Sequence, residues 1–197
     1  MEQVDDLTMF GVGGWRWLNP PENWLSYAGM TATADSDSDF WRTTHYGFVR
    51  DSGHALLRRV GPEFALRTRF FGDYREQYDQ AGVLLRLDED NWIKAGIEYV
   101  DGEQLLSAVV TREVSDWSVV PLQALHGELE SVTVELRRTG DTVTVKYAPE
   151  GDEPKTLLRL AYFPPGVDAE AGPMCASPEG SGFPIRFSEL TFESEKD

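Results

Sequence analysis

Five side chains between Tyr78 and Trp117 have the chemistry of a recognition site. Gln80, Arg86, Trp92, Lys94 and Glu98 occupy even-numbered positions in two runs whose odd-numbered positions are apolar: Ala81, Val83, Leu85 and Leu87, then Ile93, Ala95 and Ile97. An indole ring among amide, guanidinium, ammonium and carboxylate groups suits a polyhydroxylated ligand, because the ring covers apolar C–H faces while the polar groups bond the hydroxyls. The same inventory gives no reaction centre. The three histidines are isolated, and the chain carries no G-x-S-x-G, no P-loop and no H-E-x-x-H, hence neither a nucleophile with its base nor a metal cage. His45 and His54 could approach one another on a hairpin but lack a third ligand. In the run DSDSD, Asp35, Asp37 and Asp39 imitate the start of a calcium loop, yet Phe40 stands where such a loop needs glycine and no glutamate closes it. No metal and no cofactor are expected.

These groups converge only if the chain forms consecutive antiparallel strands. Alternation of period two marks a half-buried strand. Asp101-Gly102, between two such runs, supplies the positive-φ pair of a type I′ hairpin turn. With those residues as the loop, Val100 faces Glu103, Ile97 faces Leu106, Ala95 faces Ala108 and Ile93 faces Val110. The buried pairs are then all apolar, and a slip of one residue would destroy this. The other face pairs Glu98 with Leu105, Gly96 with Ser107, Lys94 with Val109 and Trp92 with Thr111, which adds Thr111 to the candidate set. For the preceding hairpin, parity puts Arg86 opposite Trp92 or Lys94, and Glu98 opposite Gln80 or Gly82.

The rest of the chain repeats these signals. Trp15, Trp17 and Trp24 surround Pro20-Pro21, which forbid a helix, and serve either as core or as a groove lining. Residues 40–60 split at Asp51-Ser52-Gly53 into two strands. The first has no cleanly apolar face and is expected beside the organising three, with Trp41 and His45 as rim candidates on whichever face meets the groove. SDWS, Ser115 to Ser118, reads either as a strand-end turn with Trp117 on the core, or as a rim loop presenting Asp116 and Trp117. SVTVELRR and TVTVKYA form a second hairpin around Thr139-Gly140-Asp141, and AEAGPMCA and FPIRFSELTF are the last two strands, with Cys175 as a small buried residue. Many short strands with regular turn signals predict an all-β fold, a two-sheet antiparallel β-sandwich. A chain of 197 residues suits one domain, 1–197, with 1–10 and 193–197 as frayed tails.

Composition narrows the partners. A formal net charge of −16 argues against nucleic acid and against anionic membrane surfaces. One cysteine excludes an internal disulfide framework. The N-terminus has no basic and apolar leader, and no run approaches the ~20 apolar residues of a membrane span. A cytoplasmic protein is expected.

Four motifs in order, DFWRTTHYGF, YDQAGVLLR, WIKAGIEYVDG and SDWS, resemble those of a largely uncharacterised family of intracellular proteins with the concanavalin-A-like jelly-roll fold, which includes the fungal "regulation of enolase" protein. The resemblance runs from the NPP at Asn19 to the final FSELTF. It implies the lectin and glucanase jelly roll, whose concave sheet face is the usual ligand groove in carbohydrate-binding relatives. Function follows less directly from fold. The expectation is a noncatalytic binder of a carbohydrate or small polar metabolite through Gln80, Arg86, Trp92, Lys94, Glu98 and Thr111, with Trp41, His45, Asp116 and Trp117 as possible rim. An alternative, implied by the resemblance, is a protein–protein module acting on a cytosolic metabolic enzyme. A second alternative is a glycoside hydrolase, which needs two carboxylates ~5 to 9.5 Å apart. Jelly-roll glucanases carry them two or four positions apart on one strand face, and around Glu98 those positions hold Lys94, Gly96, Val100 and Gly102. A second acid would have to come from elsewhere, such as Glu113 or Asp116.

Overall fold

The computed structural model describes residues 6–127 and 129–194. In chain order the strands begin with β1 (Leu7–Met9), β2 (Val12–Leu18), β3 (Asn23–Ser26), β4 (Met30–Ala34), β5 (Phe40–Arg42), β6 (Val49–Asp51) and β7 (His54–Val60). The central part supplies β8 (Glu63–Gly72), β9 (Gln80–Arg86), β10 (Asn91–Val100), β11 (Glu103–Arg112) and β12 (Val114–Pro121), followed by one short helix, α1 (Leu122–His126). The chain continues with β13 (Val132–Thr139), β14 (Thr142–Pro149), β15 (Thr156–Tyr162), β16 (Ala169–Ala176) and β17 (Phe183–Ser194).

Two antiparallel sheets face each other, ordered β1-β2-β7-β16-β9-β10-β11-β12 and β15-β14-β13-β8-β17-β4-β3. This is a jelly-roll sandwich. Its core holds Ala81, Val83 and Leu85 of β9, Ile93, Ala95 and Ile97 of β10 and the partners of the latter on β11, against Phe64, Leu66, Phe70, Val134, Leu136, Val145 and Phe187 of the second sheet. Trp15 and Trp17 belong to that core, and Trp24 packs on Trp17 with ring centroids 5.5 Å apart. Asp101 and Gly102 adopt φ of 53° and 87°, as the type I′ turn requires. The expected register follows, with Ile97 opposite Leu106, Ala95 opposite Ala108 and Ile93 opposite Val110. The open choices in the preceding hairpin resolve to Arg86 opposite Trp92 and Glu98 opposite Gln80.

Two expectations are corrected. The strand beside β9 is β16, from the far end of the sequence, and not the 40–50 segment. Residues 40–42 and 49–51 instead form a separate two-stranded ribbon, β5-β6. It lies over the face of the large sheet turned away from the second sheet. Phe40 and Trp41 there join Ala55, Leu57, Leu84, Trp92, Val109 and Met174 in a second, smaller core. The SDWS segment is neither turn nor loop, because Val114–Pro121 is the edge strand β12, with Trp117 opposite Val109. The N-terminal tail is in part β1, paired with β2, and β17 runs to Ser194. The tail readings at 1–5 and 195–197 lie outside the described residues.

Candidate functional site

The ribbon covers only part of the sheet face, and a cavity of about 80 Å³ remains beside it. Its lining joins Gln80, Lys94, Glu98 and Trp117 from the sheet with Asp39, Trp41, Tyr46, Phe48 and Arg50 from the ribbon, and with Tyr78, Pro178 and Glu179 from loops. Between Lys94 and Glu98 on β10, Gly96 stands opposite Gly82 of β9. A Cβ on Gly96 would lie 2.0 Å from the Ala81 carbonyl oxygen, so the close strand approach there admits only glycine.

Lys94, at 4% exposure, donates to Gln80 Oε1 and lies 4.0 Å from Asp39 Oδ1. Gln80 Nε2 donates to Tyr78 O (3.2 Å) and to Asp39 Oδ1 (3.4 Å). Asp39 is fixed in turn because its carbonyl accepts from the Ser52 and Gly53 amides (2.9 and 2.8 Å), which close the ribbon. This buried charge pair is therefore compensated within the protein.

Glu98 is different. Its Oε2 accepts from Ser107 Oγ at 2.7 Å, and Ser107 Oγ accepts from Trp117 Nε1 at 3.0 Å. Glu98 is 7% exposed, and among the described residues no cation lies within ion-pair distance of it. Aromatic walls complete the cavity. Tyr46 stacks on Phe48 (centroids 5.3 Å, 18°) and meets Trp41 edge-on (5.6 Å). Its hydroxyl pairs with that of Tyr78 at 2.8 Å. That hydrogen bond, then burial, then the nearby Tyr78, Glu98 and Glu179, hold the Tyr46 phenol well above its ordinary range. The Arg50 guanidinium lies 4.4 Å from the Phe48 ring centre.

Of the ten side chains expected at the site, the structure gathers Gln80, Lys94, Glu98, Trp41 and Trp117 around the cavity. The other five are placed elsewhere. Arg86 forms a two-pronged ion pair with Asp51 (2.6 and 2.8 Å) that fastens the ribbon to the sheet. Trp92 is covered by Phe40 (centroids 6.1 Å) and donates to Glu89 O, so it is core and not a platform. Thr111 is buried and hydrogen-bonds to Ser115, whose Oγ accepts from the Arg42 amide of the ribbon. His45 is exposed behind Tyr46, and Asp116 pairs with Arg159. Neither Asp116 nor Glu113 reaches the cavity to serve as a second acid. His54 is buried, with Nδ1 donating to Asn19 O and Nε2 accepting from the Asp35 amide, far from the exposed His45 in environment. Among the described residues no group of three metal-ligating side chains occurs.

Asp39, Tyr46, Phe48, Arg50, Tyr78, Pro178 and Glu179 were missed from the sequence. The aromatic density of FWRTTHYGF was a visible signal for two of them, Tyr46 and Phe48. Pro178 and Glu179 left none, since they arrive only because β16 ends beside Gln80.

The two-sheet topology and the covered sheet face place the protein in the concanavalin-A-like jelly-roll class. Within it the chain belongs to the family described as "Protein of unknown function (DUF1349)", which matches residues 17–195. It is 42% identical over 176 residues to "Regulation of enolase protein 1" of Saccharomyces cerevisiae, spanning 88% of this chain and 86% of that one. A crystal structure of "a functionally unknown protein" from the same yeast superposes with a TM-score of 0.85 at 36% identity, covering 93% of this chain and 97% of that one. The carbohydrate-binding module CBM66 from Bacillus subtilis shares the fold alone, with a TM-score of 0.57 at 13% identity over 91% of this chain and 95% of that one. No described helix is long and apolar enough to cross a membrane.

Proposed function

We propose that the protein binds, without transforming, a carbohydrate or small polar metabolite in the cavity between the ribbon and strands β9 to β12. The observation that carries this reading is the convergence of Trp41, Tyr46, Phe48, Tyr78 and Trp117 on a buried carboxylate that meets one hydroxyl donor and no cation among the described residues. Aromatic walls with few fixed polar groups suit a ring that is apolar on its faces and polar at its edge. The name of the CBM66 neighbour agrees with such a ligand. A melting-temperature screen against mono- and oligosaccharides and polar metabolites tests it. A ligand at 100 times its Kd adds about 2.7 kcal/mol, a rise of roughly 5–10 °C for a chain of this length. Trp117→Ala and Tyr46→Ala should each weaken the ligand at least tenfold. A blank screen, or a ligand indifferent to both variants, overturns the reading.

A second reading is a regulatory contact with a metabolic enzyme, suggested by the name of the 42% identical relative. The net charge of −16 favours it, since an acidic surface steers toward a basic patch on a partner. Recovery of enolase in a pull-down, weakened by salt and unaffected by the two cavity variants, would support it over the first.

A further inference from the structure

Glu98 poses a charge problem that the described residues leave unsolved. A carboxylate at 7% exposure is costly unless a cation or several donors meet it. Among the described residues its one donor is Ser107, whose single hydroxyl proton is spent on Oε2. The nearby cations are committed elsewhere. Lys94 sits four residues away on the same face, ~13 Å along the strand at ~3.3 Å per residue, and is held by Gln80 and Asp39. Arg86 is held by Asp51. Arg50 lies over the Phe48 ring. The cavity lining carries Asp39, Glu98 and Glu179 against Lys94 and Arg50, an excess of one negative charge. Aromatic faces beside that charge attract a cation further.

From this we propose that the ligand presents a protonated amine to Glu98, so that the cavity selects an amine-bearing sugar over its neutral counterparts. The proposal rests on the cavity being a ligand site, and it adds the charge of the group received there. In this arrangement the ammonium donates to Glu98 Oε1 between the rings of Tyr46, Tyr78 and Trp117, while Lys94 and Arg50 remain with Asp39 and Phe48. The Trp117–Ser107–Glu98 chain of hydrogen bonds holds the receiving carboxylate in place.

Calorimetric titration with three oligosaccharide series that differ only at the second ring carbon tests this. Chitosan oligomers carry an amine there, chitin oligomers an acetamide and cello-oligomers a hydroxyl. The expected result is at least tenfold tighter binding of the amine series, a preference lost in Glu98→Gln. In the wild type it should also fade as pH rises and the amine loses its proton, while binding of the neutral series stays level. That wild-type pH series decides the matter even if Glu98→Gln does not fold. Equal binding of all three series overturns the amine proposal and leaves the sugar-binding reading standing. Binding of a ring-free amine such as spermidine, dependent on Glu98 and without binding of any oligosaccharide, overturns the sugar reading and keeps the amine. No binding of any of these probes overturns both.

Discussion

Lys94 and Glu98 share one face of β10 and are both buried, yet their surroundings give their substitutions opposite signs. Lys94 completes a network with Gln80 and Asp39, and removing it strands the Asp39 carboxylate at 6% exposure. Breaking a buried pair from one side costs about 3–5 kcal/mol. Lys94→Met should therefore lower the melting temperature strongly. Among the described residues Glu98 has a hydroxyl donor and no cation, so the isosteric amide removes an uncompensated charge while keeping an acceptor for Ser107. We expect Glu98→Gln to melt at the wild-type temperature or above it. Thermal unfolding of the two variants side by side checks the contrast, and a strong loss in Glu98→Gln would make Glu98 a structural residue.

At the scale of elements, the ribbon is what turns a sheet face into a cavity. Arg86 and Asp51 fasten one end of it, and the Arg42 amide bonded to Ser115 fastens the other. Arg86→Ala leaves Asp51 without its partner and should cost about 1–3 kcal/mol. Limited proteolysis should then cut faster between Thr43 and Phe48, and a cut rate equal to that of the wild type would show that the ribbon is held by its apolar contacts alone. The ribbon also explains what could be read in advance. The β10–β11 register was legible to the residue because Asp101-Gly102 admits one turn and a slip of one residue would turn Lys94 and Glu98 into the apolar core between the sheets. Alternation reports which side chains share a face, but not what covers it. Trp92 and Lys94 therefore read as equals, although Phe40 covers one while the cavity reaches the other. Three-residue strands such as β5 and β6 are too short to show a period at all. The pairing of β9 with β16, across some ninety residues of intervening chain, had no local signal either.

For the whole molecule, that last pairing makes the order of events in folding matter. β16 pairs with β7 on one side and with β9 on the other, so it alone joins β1-β2-β7 to β9-β10-β11-β12 in one sheet. The β1–β2 hairpin and the β9-β10-β11-β12 meander can close early, because each is local in sequence, whereas β7 reaches β2 across an intervening stretch of chain. They remain two fragments until the final part of the chain arrives, and such long-range closure is slow. Until then β7 and β9 each present an unpaired edge, the kind of edge that recruits other chains. A chain ending at Pro165 should accordingly aggregate on expression, whereas one that loses only residues 195–197 should stay monodisperse in size-exclusion chromatography. A soluble, compact 1–165 fragment would show that the halves of the sheet stand without their seam. The cavity inherits the same timetable: Pro178 and Glu179 complete its wall just after β16 has inserted, so the enclosure takes shape late in folding and is absent from either half of the sheet alone.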